Sequence, residues 1–196
     1  MLRARRTLAL ATLAAGLLAT SPAAAATLAV RYSPFAPTGA LAAGLRAAPM
    51  RGGACSTGSF VVADPVAFRC SAADRIYDPC YADLLTSLVA GPTVVCVRAP
   101  WARRVLRLRI GAPPDPRLRA APGTPPWALR LASGRRCLFV QGARPRVRGR
   151  RLDYVCDGRR VLFGRPDRRA ATWRIRQARN ARGRALRRVA IAVAWG

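Results

Sequence analysis

The chain has 196 residues and carries 35 basic against 8 acidic side chains, all Arg and all Asp, for a formal charge of +27. Lys, Glu and His are absent. That composition excludes a Ser-His-Asp triad, a Cys-His pair, histidine metal ligands, Schiff-base chemistry and a Walker loop.

Arg3, Arg5 and Arg6 precede an uncharged run over residues 8–18, and small residues follow at 23–26. Charged start, short apolar run and small-residue end predict a secretory signal helix over residues 1–26, cleaved near Ala26. The run is too short to span roughly 30 Å of hydrocarbon, and no later run approaches that length. The Arg5-Arg6 pair hints at export of folded cargo. Disulfides do not form in a reducing cytosol, which favours unfolded export. Residues 27–53 are rich in Ala, Gly and Pro and read as a tether without fixed structure, with a short helix conceivable at 40–48.

Residues 54–196 read as one β-rich domain. Strands are expected at 58–63, 67–70, 93–98, 105–110, 128–131, 137–141, 152–156, 161–163, 172–177 and 188–195. In the strand at 105–110, Leu106, Leu108 and Ile110 alternate with Arg107 and Arg109, one face buried and one wet. In the last strand Val189, Ile191, Val193 and Trp195 share one face. The sizeable helical candidate in the domain is 82–90. Residues 111–126 hold six prolines and either divide the domain into two lobes or cross one edge. Many short strands with regular turns predict an all-β, mainly antiparallel small sandwich or barrel.

Six cysteines, Cys55, Cys70, Cys80, Cys96, Cys137 and Cys156, form an even set in an exported chain, the pattern of a disulfide framework. Six allow many connectivities. Spacing favours Cys55–Cys70, Cys80–Cys96 and Cys137–Cys156, each closing a loop of roughly 16 to 20 residues worth about 3 kcal/mol. No Cys-x-x-Cys spacing supports a zinc site, and neither metal nor cofactor is expected.

The charge is uneven. Residues 101–196 hold 26 Arg against 4 Asp, whereas residues 27–100 hold 6 against 4. Arg144, Arg146, Arg148, Arg150 and Arg151 crowd between two expected strands. Arg107, Arg109, Arg174 and Arg176 occupy wet strand faces and would form a guanidinium ladder if those strands were neighbours. Such a surface predicts anion binding, because guanidinium grips carboxylate and phosphate oxygens in pairs. The bland alternative is the coding bias of a GC-rich genome. The expected partners are an anionic envelope polymer, anionic lipid headgroups or an acidic protein. Nucleic acid would bind only non-specifically, since no recognition motif is present. The protein is expected to be secreted or envelope-associated and not an enzyme.

A second reading is a protein-binding or inhibitory module whose basicity is incidental. A third, less supported, is a hydrolase using paired carboxylates among Asp64, Asp74, Asp78 and Asp83. Asp64 and Asp78 each precede Pro, so turn-shaping is the simpler role.

The phrases SAADRIYDPCY at 71–81, VVC at 94–96 and PW at 100–101 resemble a pattern in uncharacterised secreted, disulfide-containing proteins of actinobacteria. PWALRLASGRRCLFVQGA at 126–143, LDYVCDG at 152–158 and AWG at 194–196 extend the likeness. The chain departs from that pattern at Ser56, where Trp is expected. The resemblance implies export and a stapled β domain, and it carries no known activity.

Overall fold

Short strands broken by Gly, Pro and Asp turns cannot bury an apolar face singly, so they must close on one another. In the computed structural model, which describes residues 25–82, 92–112, 124–147, 149–183 and 185–196, they do so twice. Strand β1 (Leu28–Val30) opens the chain but joins the second group. The first group holds β2 (Arg46–Ala47), β3 (Arg51–Gly58), β4 (Ala67–Ala72), β5 (Arg75–Ala82), β6 (Thr93–Cys96) and β7 (Arg104–Ile110). Strands β3 to β7 pair in sequence and β7 returns to β3, closing a small barrel. The second group holds β8 (Ala128–Leu131), β9 (Arg136–Phe139), β10 (Arg146–Val147), β11 (Arg150–Cys156), β12 (Val161–Asp167), β13 (Arg174–Ala178) and β14 (Arg187–Trp195). Its order is β8-β9-β11-β12-β13-β14, and β14 pairs back with β8 to close a second barrel. Every pairing is antiparallel except β1–β14, β2–β7 and β3–β7. The expected all-β, barrel-like class is therefore what the described residues adopt, and in sequence the Pro-rich stretch falls between β7 and β8.

All three expected disulfides are present, and each joins residues directly opposed on paired strands: Cys55–Cys70, Cys80–Cys96 and Cys137–Cys156. Two of them lie in the first barrel's core with Phe68, Val94, Leu108 and Ile110. There the sulfurs of Cys70, Cys80 and Cys96 come within 4.8 Å of one another, but all are bonded in disulfides and none is a thiolate ligand. The second barrel is filled by Leu129, Leu131, Tyr154, Leu162, Ile175 and Ile191. Each such side chain taken fully from water contributes about 1.5–3 kcal/mol. A shared core joins the barrels. Tyr81, Val95 and Val105 on the outside of the first meet Trp127 and Ala128 of the second, with Tyr32, Trp101 and Trp195 packed around them.

Several expectations are corrected. The stretch read as a tether is integral. Thr27 donates its amide to Ala171 O (2.9 Å) and its hydroxyl to Ile191 O (2.6 Å), while β1 runs beside Val193 to Trp195. The short helix at 40–48 is absent; turns lead instead into β2. The strand expected at 58–63 lies upstream as β3, and Ser59 Oγ accepts the amides of Val61 (3.1 Å) and Val62 (3.0 Å) to hold a buried loop. Strand β5 was unexpected because Asp78-Pro79, joined by a cis peptide, sits inside it. The helix expected at 82–90 begins on Ala82, which ends β5; its remainder, the signal segment 1–24, most of the Pro-rich stretch, Asp83 and Arg148 lie outside the described residues. In β14 the register shifts between Ile191 and Val193. One extra residue flips the parity beyond it. Ala194 therefore joins Ile191 inside the barrel, and Trp195 turns to Trp101 in the shared core.

Candidate functional site: an arginine cleft on the second barrel

The arginines singled out in the sequence separate into distinct places. Arg174 and Arg176 occupy alternate exposed positions of β13, whose intervening residue Ile175 is buried. Opposite them β12 is irregular. Phe163 pairs with Arg176 and Asp167 with Arg174, and the register shifts in between. Gly164 takes φ +76° there, a left-handed backbone that a side chain resists, so the bulge depends on glycine. The bulge opens a concavity of about 290 Å³ between the strands. Arg165, Arg174, Arg176 and Arg188 line it, with Asp167 as its single acid.

That acid is engaged elsewhere. Asp167 accepts Nε (2.9 Å) and Nη2 (2.8 Å) of Arg169, and Arg188 Nη1 lies 3.7 Å from it. The Arg169 side-chain bonds, helped by its backbone amide and by Arg188, hold the Asp167 carboxyl well below the ordinary carboxylate range. Arg165, Arg174 and Arg176 make no ion pair among the described residues. Three guanidiniums without an ion-pair partner among the described residues thus share one recess; guanidinium is in general the group that pairs with carboxylate or phosphate oxygens.

The other expected arginines do not join this cleft. Arg107 and Arg109 lie on β7 of the first barrel, so no ladder links them to β13. Arg109 is exposed beside Met50 and Arg51. Arg107 is half-buried, and its Nε has no hydrogen-bond partner among the described residues. Arg144 and Arg151 are not free cations: both bind Asp153 Oδ1, at 2.9 Å and 3.1 Å. Arg144 also stacks on Phe139, 4.8 Å from the ring centroid. Asp153 is 1% exposed, so these arginines serve a buried carboxylate. The expected loop at 143–151 is largely a hairpin, with Arg146 donating to Gly149 O and Arg150 exposed.

Arg165 and Arg188 were missed in the sequence. The signal was Gly164 inside an apolar strand pattern, which marks a bulge and a strand longer than 161–163. A larger cleft of about 570 Å³ lies between the barrels. Its Arg31 is bound to Asp64 (2.8 Å) and its Arg168 stacks on Trp173 (4.5 Å), so both cations are engaged.

Of the carboxylates proposed for hydrolysis, Asp64 and Asp78 have structural partners. Asp64 Oδ1 accepts the Val66 amide at 3.0 Å, shaping the turn at Pro65. Asp78 lies in a strand, not a turn, and accepts Ser59 Oγ (2.5 Å) and the Phe60 amide (3.0 Å), with Arg69 at 3.8 Å. Burial pushes the Asp78 carboxyl up, against the pull of those bonds and of Arg69. Asp74 takes φ +59° in the β4–β5 turn.

Comparison with protein-family models, curated proteins and solved structures returns no match to this chain.

Proposed function

We propose that the protein is an exported, non-catalytic binding domain whose arginine cleft contacts an anionic envelope or extracellular partner. The observation that carries this reading is the cleft itself: Arg165, Arg174 and Arg176, unpaired among the described residues, converge with Arg188 around one already engaged acid. Like charges repel, so holding them together without a counter-ion costs stability that a bound anion returns. Coding bias explains Arg in place of Lys but not their convergence on a glycine-dependent bulge. Three disulfides accord with an oxidising compartment. No helix among the described residues is long and apolar enough to cross a membrane. The partner class is an anionic polymer, lipid headgroup or acidic protein surface, and duplex DNA serves as the non-specific comparison.

The test is binding of the oxidised protein to wall polymer, anionic liposomes, an acidic protein and duplex DNA across a salt series. Expected is one ligand whose binding persists near physiological salt and weakens in the Arg174→Gln/Arg176→Gln variant. The salt slope should fall by about one per lost contact. Equal binding to all ligands that vanishes as salt rises, or no effect of the double substitution, would sink the reading.

A further inference from the structure

The rim of the second barrel carries a different set of arginines, at the end where β8 and β13 stop and β9, β12 and β14 begin. Side chains alternate along a strand. Cys137, Leu162 and Gln177 are buried, Cys137 and Leu162 in the barrel's core and Gln177 opposite Leu162. Arg135, Arg160 and Arg179 each stand two residues beyond one of them and share its inward parity. Arg187 lies directly across from Gln177. Four guanidiniums, Arg187 in β14 and the others flanking the ends of β9, β12 and β13, therefore gather at one mouth. Burial, then the neighbouring charges of Arg135, Arg187 and Arg179, push Arg160 below the ordinary arginine range. Asp157 is exposed in the 3-10 turn Asp157–Arg159 that joins β11 to β12, and it makes no ion pair among the described residues. None of the four arginines makes an ion pair among the described residues.

Beneath them sits Gln177, 2% exposed. Its Oε1 accepts Nε (3.2 Å) and Nη2 (3.0 Å) of Arg187. The oxygen is so used, while the amide nitrogen Nε2 is itself buried and has no partner among the described residues. A buried donor left unmade is costly, and native structures seldom keep one without a reason. The donors here, one carboxamide N–H and four guanidiniums, all seek an acceptor of high negative charge. Leu162, Ile175 and Ile191 fill the barrel below, so a ligand enters from one side only and must present an end.

We propose that this mouth binds a terminal phosphoryl group, as free phosphate or a phosphate monoester, with Gln177 Nε2 donating to one oxygen and Arg135, Arg160, Arg179 and Arg187 surrounding the others. A tetrahedral dianion matches donors arriving from several strand ends better than a flat, singly charged carboxylate. The site is separate from the β12–β13 cleft and does not depend on it.

The test follows thermal unfolding of the oxidised protein in inorganic phosphate, glycerol 3-phosphate, a phosphodiester polymer or chloride, at matched ionic strength. Ligands that bind the native state raise the midpoint in a saturable way. Phosphate is expected to do so, and Arg160→Gln should weaken its apparent affinity about tenfold. Without phosphate, Arg160→Gln should melt no lower than the parent, since it removes a like charge; this keeps a binding defect apart from a folding defect. Gln177→Met should weaken phosphate binding with no change in charge. In the Arg174→Gln/Arg176→Gln background, which removes the draw of the β12–β13 cleft on phosphate, a saturable phosphate effect should remain and should still be weakened by Arg160→Gln. Glycerol 3-phosphate acting as phosphate does assigns a monoester end, and phosphate acting alone assigns the free ion; both support the site. Equal stabilisation by chloride, a polymer as effective as the monoester, or, in the Arg174→Gln/Arg176→Gln background, a phosphate effect that survives Arg160→Gln would overturn it.

Discussion

Arg176 stands directly opposite Arg188 across the β13–β14 ladder, two like charges on facing positions of one sheet. Such pairs destabilise antiparallel sheets, and here Asp167 offsets only the Arg188 side, at 3.7 Å. Arg176→Thr should raise stability by about 0.2–1 kcal/mol at low ionic strength. The gain should shrink as salt shortens the screening length. Thermal melts of parent and variant at two salt concentrations read this. The same variant should bind polyanions more weakly, so stability and binding move in opposite directions.

Asp167 has a folded-state carboxyl held below its unfolded value, chiefly by Arg169. A depressed acid contributes stability above its unfolded pKa and loses it as pH falls through the folded one. Stability of the parent should therefore decline as pH drops below about 4. Asp167→Asn should flatten that part of the acid limb. At neutral pH it also leaves the cleft without its acid, so affinity for an anionic ligand should rise. Urea melts across pH and a binding titration at pH 7 check the two effects together, and weaker binding by Asp167→Asn would contradict the cleft's assigned role.

Arg144 and Arg151 converge on Asp153, whose other oxygen, Oδ2, is buried without a partner among the described residues. Asp153→Asn should cost about 1–3 kcal/mol. The figure sits below that for a fully buried pair because Arg144 and Arg151 are 26% and 44% exposed, and water screens them. Arg144→Gln should lower the unfolding midpoint yet leave polyanion binding unchanged, in contrast to Arg174→Gln. Chemical denaturation paired with a binding titration separates the two arginines.

Gly53 marks where the first barrel closes, paired with Ile110 of β7. A Cβ there would lie 2.9 Å from Ser71 O and 3.0 Å from Leu108 Cδ1. Gly53→Ala should destabilise by about 1–3 kcal/mol through overpacking. Its neighbour Gly52 has open space around it, so Gly52→Ala is the matched control and should be nearly neutral. Denaturant midpoints of the two variants, compared side by side, test the assignment.

What the sequence showed and what it hid follow from range. The cysteine pairs were legible because each joins neighbouring strands, so proximity along the chain tracks proximity in space. The alternation around Leu108 was legible because one face of β7 is core. Gly53 was read as tether because a glycine needed for close approach looks, in one sequence, like a glycine that needs nothing. The parity of Val193 and Trp195 was read wrongly because a bulge leaves no residue signature in an Ala-Val run. Arginines were visible as a quantity, but their partners were not. Arg151 and Arg174 look alike until Asp153 and Asp167 are placed.

The first described strand, β1, has β14 as its partner, with Val30 beside Trp195 and the Gly196 amide donating to Val30 O at 3.0 Å. Between them in the chain lies the whole first barrel. A polypeptide that emerges amino-end first can therefore close β3 to β7 early, from contacts near in sequence, while β1 has nothing to pair with. Its docking waits for the last residues to arrive and tethers the completed first barrel to the second. The slowest contact to form is thus the one of greatest sequence separation. The two barrels are expected to close in order of synthesis, with β1 and the shared core around Trp127 joining them last.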